Sequence, residues 1–275
     1  MRRGPVEISV TDNEAVGPEH RAGYNGIASL VHEKRRENLF VPRYAGLNFE
    51  FIHDGTNLPR ELMFEPRSAP MELRVGGGHE AELYQAPTPH WQLESRTRFT
   101  LERSGAVRMR FECIPRAAVF RNGYLGLFWA SYIHQPESTA IQFLGREASG
   151  AGERWIEAVS PAHGVESTHV AAEDLEEYPH APDFSPQYMV FSRSRYVYTR
   201  PFYFGVSHGM ACVFLFRRGD GIRFSQSPSG GGAGNPAWDF QWFIPRYEVN
   251  RAYGFEMRLV YVPYRDREQL RRLGR

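Results

Sequence analysis

The densest run of residues that could do chemistry is 90–101, where polar and apolar side chains alternate. Successive side chains on a β-strand point to opposite faces of its sheet. One predicted face carries Trp91, Leu93, Phe99 and Leu101. The other carries His90, Gln92, Glu94, Arg96 and Arg98. A histidine, a carboxylate and two arginines on one rigid face form either a solvated surface or the wall of a polar cleft.

A second cluster surrounds Asp239, which stands in mid-strand between Trp238 and Trp242. Charged residues are seldom buried unless they are paired or functional. Aromatic rings stack on the apolar faces of sugars, and neighbouring carboxylates hydrogen-bond the hydroxyls. Alternatively, the aromatic side chains of this strand lie in the core. A core position is the better interpretation for two of the three residues Trp238, Phe240 and Trp242. The opposite strand face carries Asp239 and Gln241.

Three short motifs have simpler interpretations. Residues 205–209 match the G-x-S-x-G pattern of serine hydrolases, but a strand-like run follows them, which predicts a hairpin turn. The glycine-rich loop 229–234 lacks the lysine of a phosphate-binding loop. Cys113 and Cys212 lie in apolar runs and are predicted to be buried thiols.

The sequence predicts no cofactor, but it is compatible with a bound divalent metal ion. Ten histidines are present, although none has the spacing of a diagnostic metal motif. The candidate fragments of a metal site are His53 with Asp54, His90 with Glu94, and His134 with Glu137.

The composition is that of an ordinary globular protein. The chain has 275 residues, 41% hydrophobic and 24% charged, with a net charge of +1. Because there is no excess of charge, nucleic acid and anionic membranes are not expected partners. Residues 1–10 lack the apolar core of a signal peptide, and no apolar run reaches the ~20 residues of a membrane-spanning helix. We expect a soluble, cytoplasmic protein, or a periplasmic one if an export signal was removed.

These side chains must be positioned by β-strands. Short strands separated by turns at roughly 8–12-residue intervals predict a β-sandwich or barrel. We predict an all-β chain that forms one large sandwich domain over residues 1–275. Residues 1–22 would be an N-terminal edge segment, 145–195 a long irregular insertion, and 267–273 a short C-terminal helix.

Three stretches carry a family resemblance. Residues 23–30 and 37–40 are similar to a glycine-led first hairpin. Residues 248–261 are similar to the last strands of a known family's fold. Residues 237–241 lie shortly before them, at the place where that family has its catalytic carboxylate. In these features the chain resembles the galactose mutarotase-like (aldose 1-epimerase-like) β-supersandwich proteins.

The resemblance implies a supersandwich, a sugar substrate and proton transfer between two residues. The family's base is a glutamate, and Asp239 stands in its place. The family's acid is a mid-chain histidine, for which His134, His163 and His169 are candidates, and His90 suits an upstream substrate-binding histidine. The chain also resembles a bacterial branch that shares residues 38–48 and 227–232.

The favoured hypothesis is therefore a sugar-modifying enzyme, an isomerase of the aldose 1-epimerase type. Asp239 would take a proton from the anomeric hydroxyl, and His134, or else His163, would protonate the ring oxygen. The sheet face with His90 and Glu94 would line the cleft. The other substrate-binding candidates are Arg43, Asn48, Trp129, Tyr132 and Trp238.

Three alternatives remain open from the sequence. The same acid–base pair could drive β-elimination from a uronate, as in lyases on related folds. The chain could instead be a non-catalytic glycan-binding module, or a structural β-domain with a solvated polar face. A histidine and Asp239 in one pocket would favour catalysis, whereas a salt bridge between Asp239 and Arg223 would favour the module. The expected partner is a carbohydrate, and the oligomeric state is left open.

Overall fold

The computed structural model describes residues 1–174, 176–184 and 190–274. Leu175, which belongs to the acidic run of the predicted insertion, lies outside the described residues, as do residues 185–189 of that insertion and Arg275. Most regular structure in the described ranges is β-strand, arranged in three sheets. The predicted all-β class is confirmed.

The largest sheet has nine strands, all paired antiparallel. They are β5 (Glu72–Gly76), β6 (Glu80–Gln85), β7 (Leu93–Leu101), β8 (Val107–Pro115), β10 (Ile141–Glu147), β11 (Arg154–Ala158), β13 (Tyr196–Ser207), β14 (Met210–Phe216) and β17 (Tyr253–Pro263). Their order across the sheet is β11-β10-β13-β14-β17-β8-β7-β6-β5.

The second sheet has five antiparallel strands. They are β4 (Asn48–His53), β9 (Tyr124–Ala130), β12 (Thr168–His169), β15 (Ile222–Ser227) and β16 (Ala237–Pro245), in the order β12-β15-β16-β9-β4. The third sheet has the order β1-β2-β3, with bounds Arg2–Arg3, Val6–Thr11 and Gly26–His32.

Helices are few and short. They are α1 (Arg60–Met63), α2 (Glu65–Ser68), a 3₁₀ helix (Gly77–His79) and α3 (Arg267–Leu273). The helix α3 has the bounds that the sequence predicted, and the Asp266 side chain caps its first turn by accepting a hydrogen bond from the Gln269 N–H. Within the described ranges, no helix combines the length and the apolar character that crossing a bilayer requires.

The nine-stranded sheet packs one face into the core. Its other face meets solvent along β7 and β8, whereas at β13 and β14 it is covered by α3, where Phe204 and Val213 pack with Leu270. In β7 the buried residues alternate with more exposed ones, as the sequence predicted. A hairpin joins β7 to β8, with Leu101 opposite Val107. On the outer face, Arg98 pairs with Glu82 at 2.8 Å. The solvated-surface interpretation of this polar face is therefore the correct one.

The five-stranded sheet is buried on both faces. Every residue of β4 is buried, and so is every residue of β16 except Pro245. The inner face of β16 places Trp238, Phe240 and Trp242 in the main core, so all three rings are core rather than two. The outer face of this sheet meets a second apolar cluster that includes Phe184 from the predicted insertion.

Trp129 of β9 lies at the centre of the main core. Its indole stacks on Phe240 and Phe49, with ring centroids 5.1 and 5.0 Å apart, and meets the edge of Phe111 at 4.8 Å. Buried aromatic pairs of this kind stabilise a fold beyond the area that they bury. This aromatic packing holds β9 and its two neighbours in a rigid arrangement.

The G-x-S-x-G match is a β-hairpin turn, as predicted. The strand β13 ends at Ser207 and β14 begins at Met210. The two residues between them, His208 and Gly209, have φ values of 53° and 72°, the signature of a type I′ turn. Both cysteines are buried and unbridged, as expected.

We predict that Gly205→Ala destabilises the fold. A Cβ at residue 205 would lie 2.2 Å from the Trp238 ring, which is buried and has no room to move. Overpacking of this kind costs about 1–3 kcal/mol of unfolding free energy. Urea unfolding followed by tryptophan fluorescence measures the loss. Gly78→Ala is the control, since nothing lies within 4 Å of its added Cβ. Equal stability of the two variants would contradict the prediction.

Candidate active site

A cavity of about 170 Å³ lies at the outer face of the five-stranded sheet. Aromatic rings form much of its wall, and its charged residues are Glu50, Arg60, Arg67 and Asp239, with His163 nearby. Distant parts of the chain meet here, among them strands β4, β9 and β16, the helical segment α1–α2, the predicted insertion and the end of β15. The cavity is therefore a product of tertiary structure.

Glu50 enters the cavity because β4 contains a bulge. In the pairing with β9, Phe49 lies opposite Trp129 and Phe51 lies opposite Phe128, so Glu50 is the extra residue. A bulge re-aims a side chain, and bulges are common beside active sites. The sequence analysis missed Glu50. The signal was a carboxylate in mid-strand between two aromatic residues, the same signal that singled out Asp239.

The Glu50 carboxylate is buried but has two partners. The Tyr132 hydroxyl donates to Oε2 at 2.7 Å, and Arg67 Nη1 lies 3.5 Å from Oε1. Burial raises the pKa of Glu50, while Arg67 and the Tyr132 hydrogen bond act against that rise. Arg67 is held in turn by the ring of Tyr24, 3.9 Å from its guanidinium carbon.

Asp239 is 2% exposed, and its Oδ1 accepts a hydrogen bond from the Ser131 N–H at 2.9 Å. No arginine, lysine or histidine in the described part of the chain forms an ion pair with it. Burial raises the pKa of Asp239 well above its ordinary value, and the nearby Glu50 adds to the rise. The ionised form of such a carboxyl group is a stronger base than an ordinary aspartate carboxylate.

Arg223 does not neutralise Asp239. Its Nε lies 2.9 Å from the Asp174 carboxylate, and its Nη2 donates to the Glu176 carbonyl. The salt bridge that would have favoured a binding module is thus made with a different carboxylate.

His163 brings an imidazole to the same cavity from the predicted insertion. Its Nδ1 lies 2.8 Å from Ser227 Oγ, at the end of β15. Of the sequence-predicted site residues, Asp239, His163 and Tyr132 line the cavity together. His134 does not line it. That ring is half-buried, with Nδ1 lacking a hydrogen-bond partner among the described residues.

Three predicted sugar-binding residues are core residues, which corrects the expectation for them. Trp129 and Trp238 are fully buried between the sheets, so neither ring has a face for a sugar. Asn48 is also fully buried, and its Nδ2 donates to the Asn25 carbonyl at 3.1 Å. The alternation pattern identified their strands correctly but could not say which faces meet the other sheet.

Three other predicted site residues lie away from the cavity. Glu94 is on the outer face of the nine-stranded sheet, where it pairs with Arg116 at 2.6 Å. His90 precedes β7, with its ring edge-on to Trp91. Arg43 is exposed on a loop. The cleft expected on the His90–Glu94 face is replaced by the cavity on the other sheet.

The histidines considered for a metal site do not come together. His53 is buried among aromatic rings, and burial lowers its pKa to about 3. His90 and His134 lie elsewhere, as described above. Among residues 1–174, 176–184 and 190–274, no three histidine, cysteine, aspartate or glutamate side chains are grouped so that they could hold a metal ion.

A second cavity, of about 330 Å³, lies between residues 171–178 and the turn at residues 217–221. Its floor includes Tyr178, Tyr198 and Phe243. Of its carboxylates, Asp174 is paired with Arg223, while Asp220 is only partly buried, although its Oδ2 has no hydrogen-bond partner among the described residues. The first cavity is the better candidate because it combines an almost fully buried carboxylate, Asp239, with an imidazole, His163.

Comparison with known proteins identifies the fold. No known protein-family profile matches the chain, and no curated protein matches its sequence. A solved structure from Escherichia coli K12, described as a "putative aldose 1-epimerase", is 10% identical, with a TM-score of 0.53 over 96% of this chain and 98% of that one. A ligand-free α-N-acetylgalactosaminidase from Bifidobacterium bifidum is 12% identical, with a TM-score of 0.52 over 97% of this chain.

The match covers only 36% of the galactosaminidase, so this chain corresponds to about a third of that protein. Both matches extend along nearly all of the present chain, and together with the sheet arrangement they agree with the resemblance inferred from sequence. The chain therefore has the galactose mutarotase-like β-sandwich fold.

Proposed function

We propose that this chain is a carbohydrate-active enzyme that transfers protons at the anomeric centre of a sugar, in the manner of an aldose 1-epimerase. The observation that carries the proposal is the cavity that combines the buried Asp239 carboxylate, without a cationic partner among the described residues, with the imidazole of His163. Fold alone does not imply function, so the argument rests on this site.

The size of the cavity supports a single sugar ring. A buried cavity of about 150 Å³ accommodates benzene. At about 170 Å³, the present cavity has room for one six-membered ring, and longer saccharides would extend into solvent. The side chains of Phe128 and Ala237 in its wall supply apolar surface for the C–H groups of a sugar.

Asp239 is the proposed base. Its raised pKa makes the ionised carboxylate a stronger base than an ordinary aspartate, and in the proposed step it takes the proton from the anomeric hydroxyl. His163, in its protonated form, donates a proton to the ring oxygen as the bond between C1 and that oxygen breaks. The open aldehyde rotates about its C1–C2 bond and closes again with both protons returned. The net result is inversion at C1 with no change in composition.

Glu50 is proposed to hold the sugar in place. The Tyr132 hydroxyl and Arg67 orient its carboxylate from two directions, which leaves it positioned to accept hydrogen bonds from ligand hydroxyls. Because Glu50 lies on the bulge of β4, its carboxylate is carried by a strand held in the aromatic core. Rigid positioning of this kind is what an acid–base mechanism requires.

We predict that Asp239→Asn abolishes anomeric exchange. Replacing the carboxylate with an amide removes the base, so exchange should slow by about 10²–10⁴-fold. Proton exchange NMR on a panel of aldoses and uronates measures this rate, and the same spectra would reveal the unsaturated product of a lyase. Glu94→Gln is the comparison variant, since Glu94 lies in an ion pair on the opposite sheet. Binding without any chemical change in wild type would instead identify a glycan-binding module.

We predict that His163→Gln lowers the exchange rate while His134→Gln does not. His163 lines the cavity with Asp239, whereas His134 does not. Loss of a general acid costs about 10²–10⁴-fold, mainly in kcat. Steady-state kinetics over pH 5–9 measures both variants. A rate loss confined to His134→Gln would restore the first sequence-based candidate and refute this assignment.

We predict that Asp239→Asn also changes how stability depends on pH. A carboxyl whose folded pKa is raised stabilises the fold most at low pH, and that contribution is lost as the pH rises from its ordinary pKa of 3.8 to the raised value. Over that window wild type should lose up to about 1.4 kcal/mol per pH unit relative to the variant. Urea unfolding at pH 4 and pH 8 measures the difference. Parallel pH profiles would contradict the buried state of Asp239.

A further inference from the structure

We propose that the preferred ligand of the cavity is an anionic monosaccharide, a sugar that carries a carboxylate or phosphate group, and that Arg60 binds this group. The inference rests on the proposed function only in taking the cavity as the sugar site. It assigns a substrate class and a specificity-determining residue.

The two arginines of the cavity are in different states. Arg67 is engaged by three groups: the Glu50 carboxylate at 3.5 Å, the Gly23 carbonyl at 2.7 Å and the face of Tyr24. Its positive charge is therefore offset within the protein. Arg60 also lines the cavity, as an exposed residue at its mouth. Its charge acts on Glu50 at longer range, but in the described part of the chain no carboxylate forms an ion pair with it.

The exposed Arg60 side chain stacks on an aromatic ring. Its guanidinium carbon lies 4.4 Å from the ring centre of Phe64, and Arg67 lies 5.3 Å from the same ring. Stacking on an aromatic face leaves the N–H edge of a guanidinium available, and that edge matches the two oxygens of a carboxylate or phosphate. An anion at the cavity mouth can therefore accept two parallel hydrogen bonds from Arg60.

Electrostatics favours an anion over a neutral hydroxyl at this position. A sugar that covers the cavity mouth removes water from Arg60, and this costs free energy unless the charge is compensated. A carboxylate or phosphate compensates it with charge-assisted hydrogen bonds, which are roughly twice as strong as neutral ones. The neutral hydroxyls of the same sugar have Glu50, Asp239 and Tyr132 as partners.

The test compares neutral and anionic forms of one sugar. Galactose, galacturonate and galactose 6-phosphate, and the matching glucose series, are titrated into the wild-type protein and Arg60→Gln by calorimetry. Wild type should bind at least one anionic form about tenfold or more tightly than the neutral form. Arg60→Gln should lose about 10–100-fold in that affinity and little for the neutral sugar. The anionic form that binds more tightly, galacturonate or galactose 6-phosphate, shows whether the protein recognises a carboxylate or a phosphate.

Arg103→Gln is the matched control, since Arg103 is exposed on the turn between β7 and β8, away from the cavity. Binding that is equal for neutral and anionic forms overturns the proposal. So does an equal loss for both forms in Arg60→Gln, or no binding of any anionic form.

The outcomes also separate this proposal from the proposed function. Asp239→Asn should abolish exchange but retain the Arg60-dependent preference for anions. If wild type binds anionic sugars through Arg60 without anomeric exchange, the enzyme proposal fails and the ligand class stands. If exchange depends on Asp239 but is indifferent to Arg60 and to ligand charge, the ligand class fails and the enzyme proposal stands.

Discussion

The arrangement of the site depends on one constraint: the five-stranded sheet is buried on both faces. Polar groups on its outer face are cut off from water, so each must find a partner or raise the free energy of the folded state. Most have partners, as Gln241 has in Thr168 and Arg223 has in Asp174. Two groups are exceptions among the described residues: Asp239 has one backbone N–H on Oδ1 and no cationic partner, and neither ring nitrogen of the buried His53 has a hydrogen-bond partner. Natural proteins retain buried polar groups without full partners chiefly at functional sites.

The same burial explains why the site can be precise. Glu50 and Asp239 are carried by β4 and β16, the strands on either side of β9, whose Trp129 is packed among aromatic rings in the core. The residues at the cavity mouth come from less regular parts of the chain, His163 from a loop and Arg60 from a four-residue helix. Binding sites commonly combine rigidly held residues on strands with more adaptable residues on loops at the rim.

Similarity to solved structures extends to the fold at 10–12% identity, which is too low for any residue's role to be carried across. That such different sequences share one fold reflects what a sandwich demands: alternating strands and two apolar faces of matching shape. Identities at individual positions are free to change. The chemistry must therefore be argued from this chain's own cavity, where charge, burial and hydrogen bonding converge on two carboxylates, an imidazole and two arginines.

The sequence by itself determined the strands and the two sides of each strand. The alternation of polar and apolar residues in β7 predicted that Phe99 and Arg98 lie on opposite faces, because a two-residue period is a local property of the chain. The position of Asp239 between tryptophans predicted a functional carboxylate. Only the tertiary structure decided which side meets solvent, so the polar face of β7 proved solvated while that of β16 became a cavity wall. It also decided that His163, rather than His134, shares the cavity with Asp239, and that a bulge directs Glu50 into that cavity. These outcomes depend on contacts between residues far apart in sequence, which no local pattern encodes.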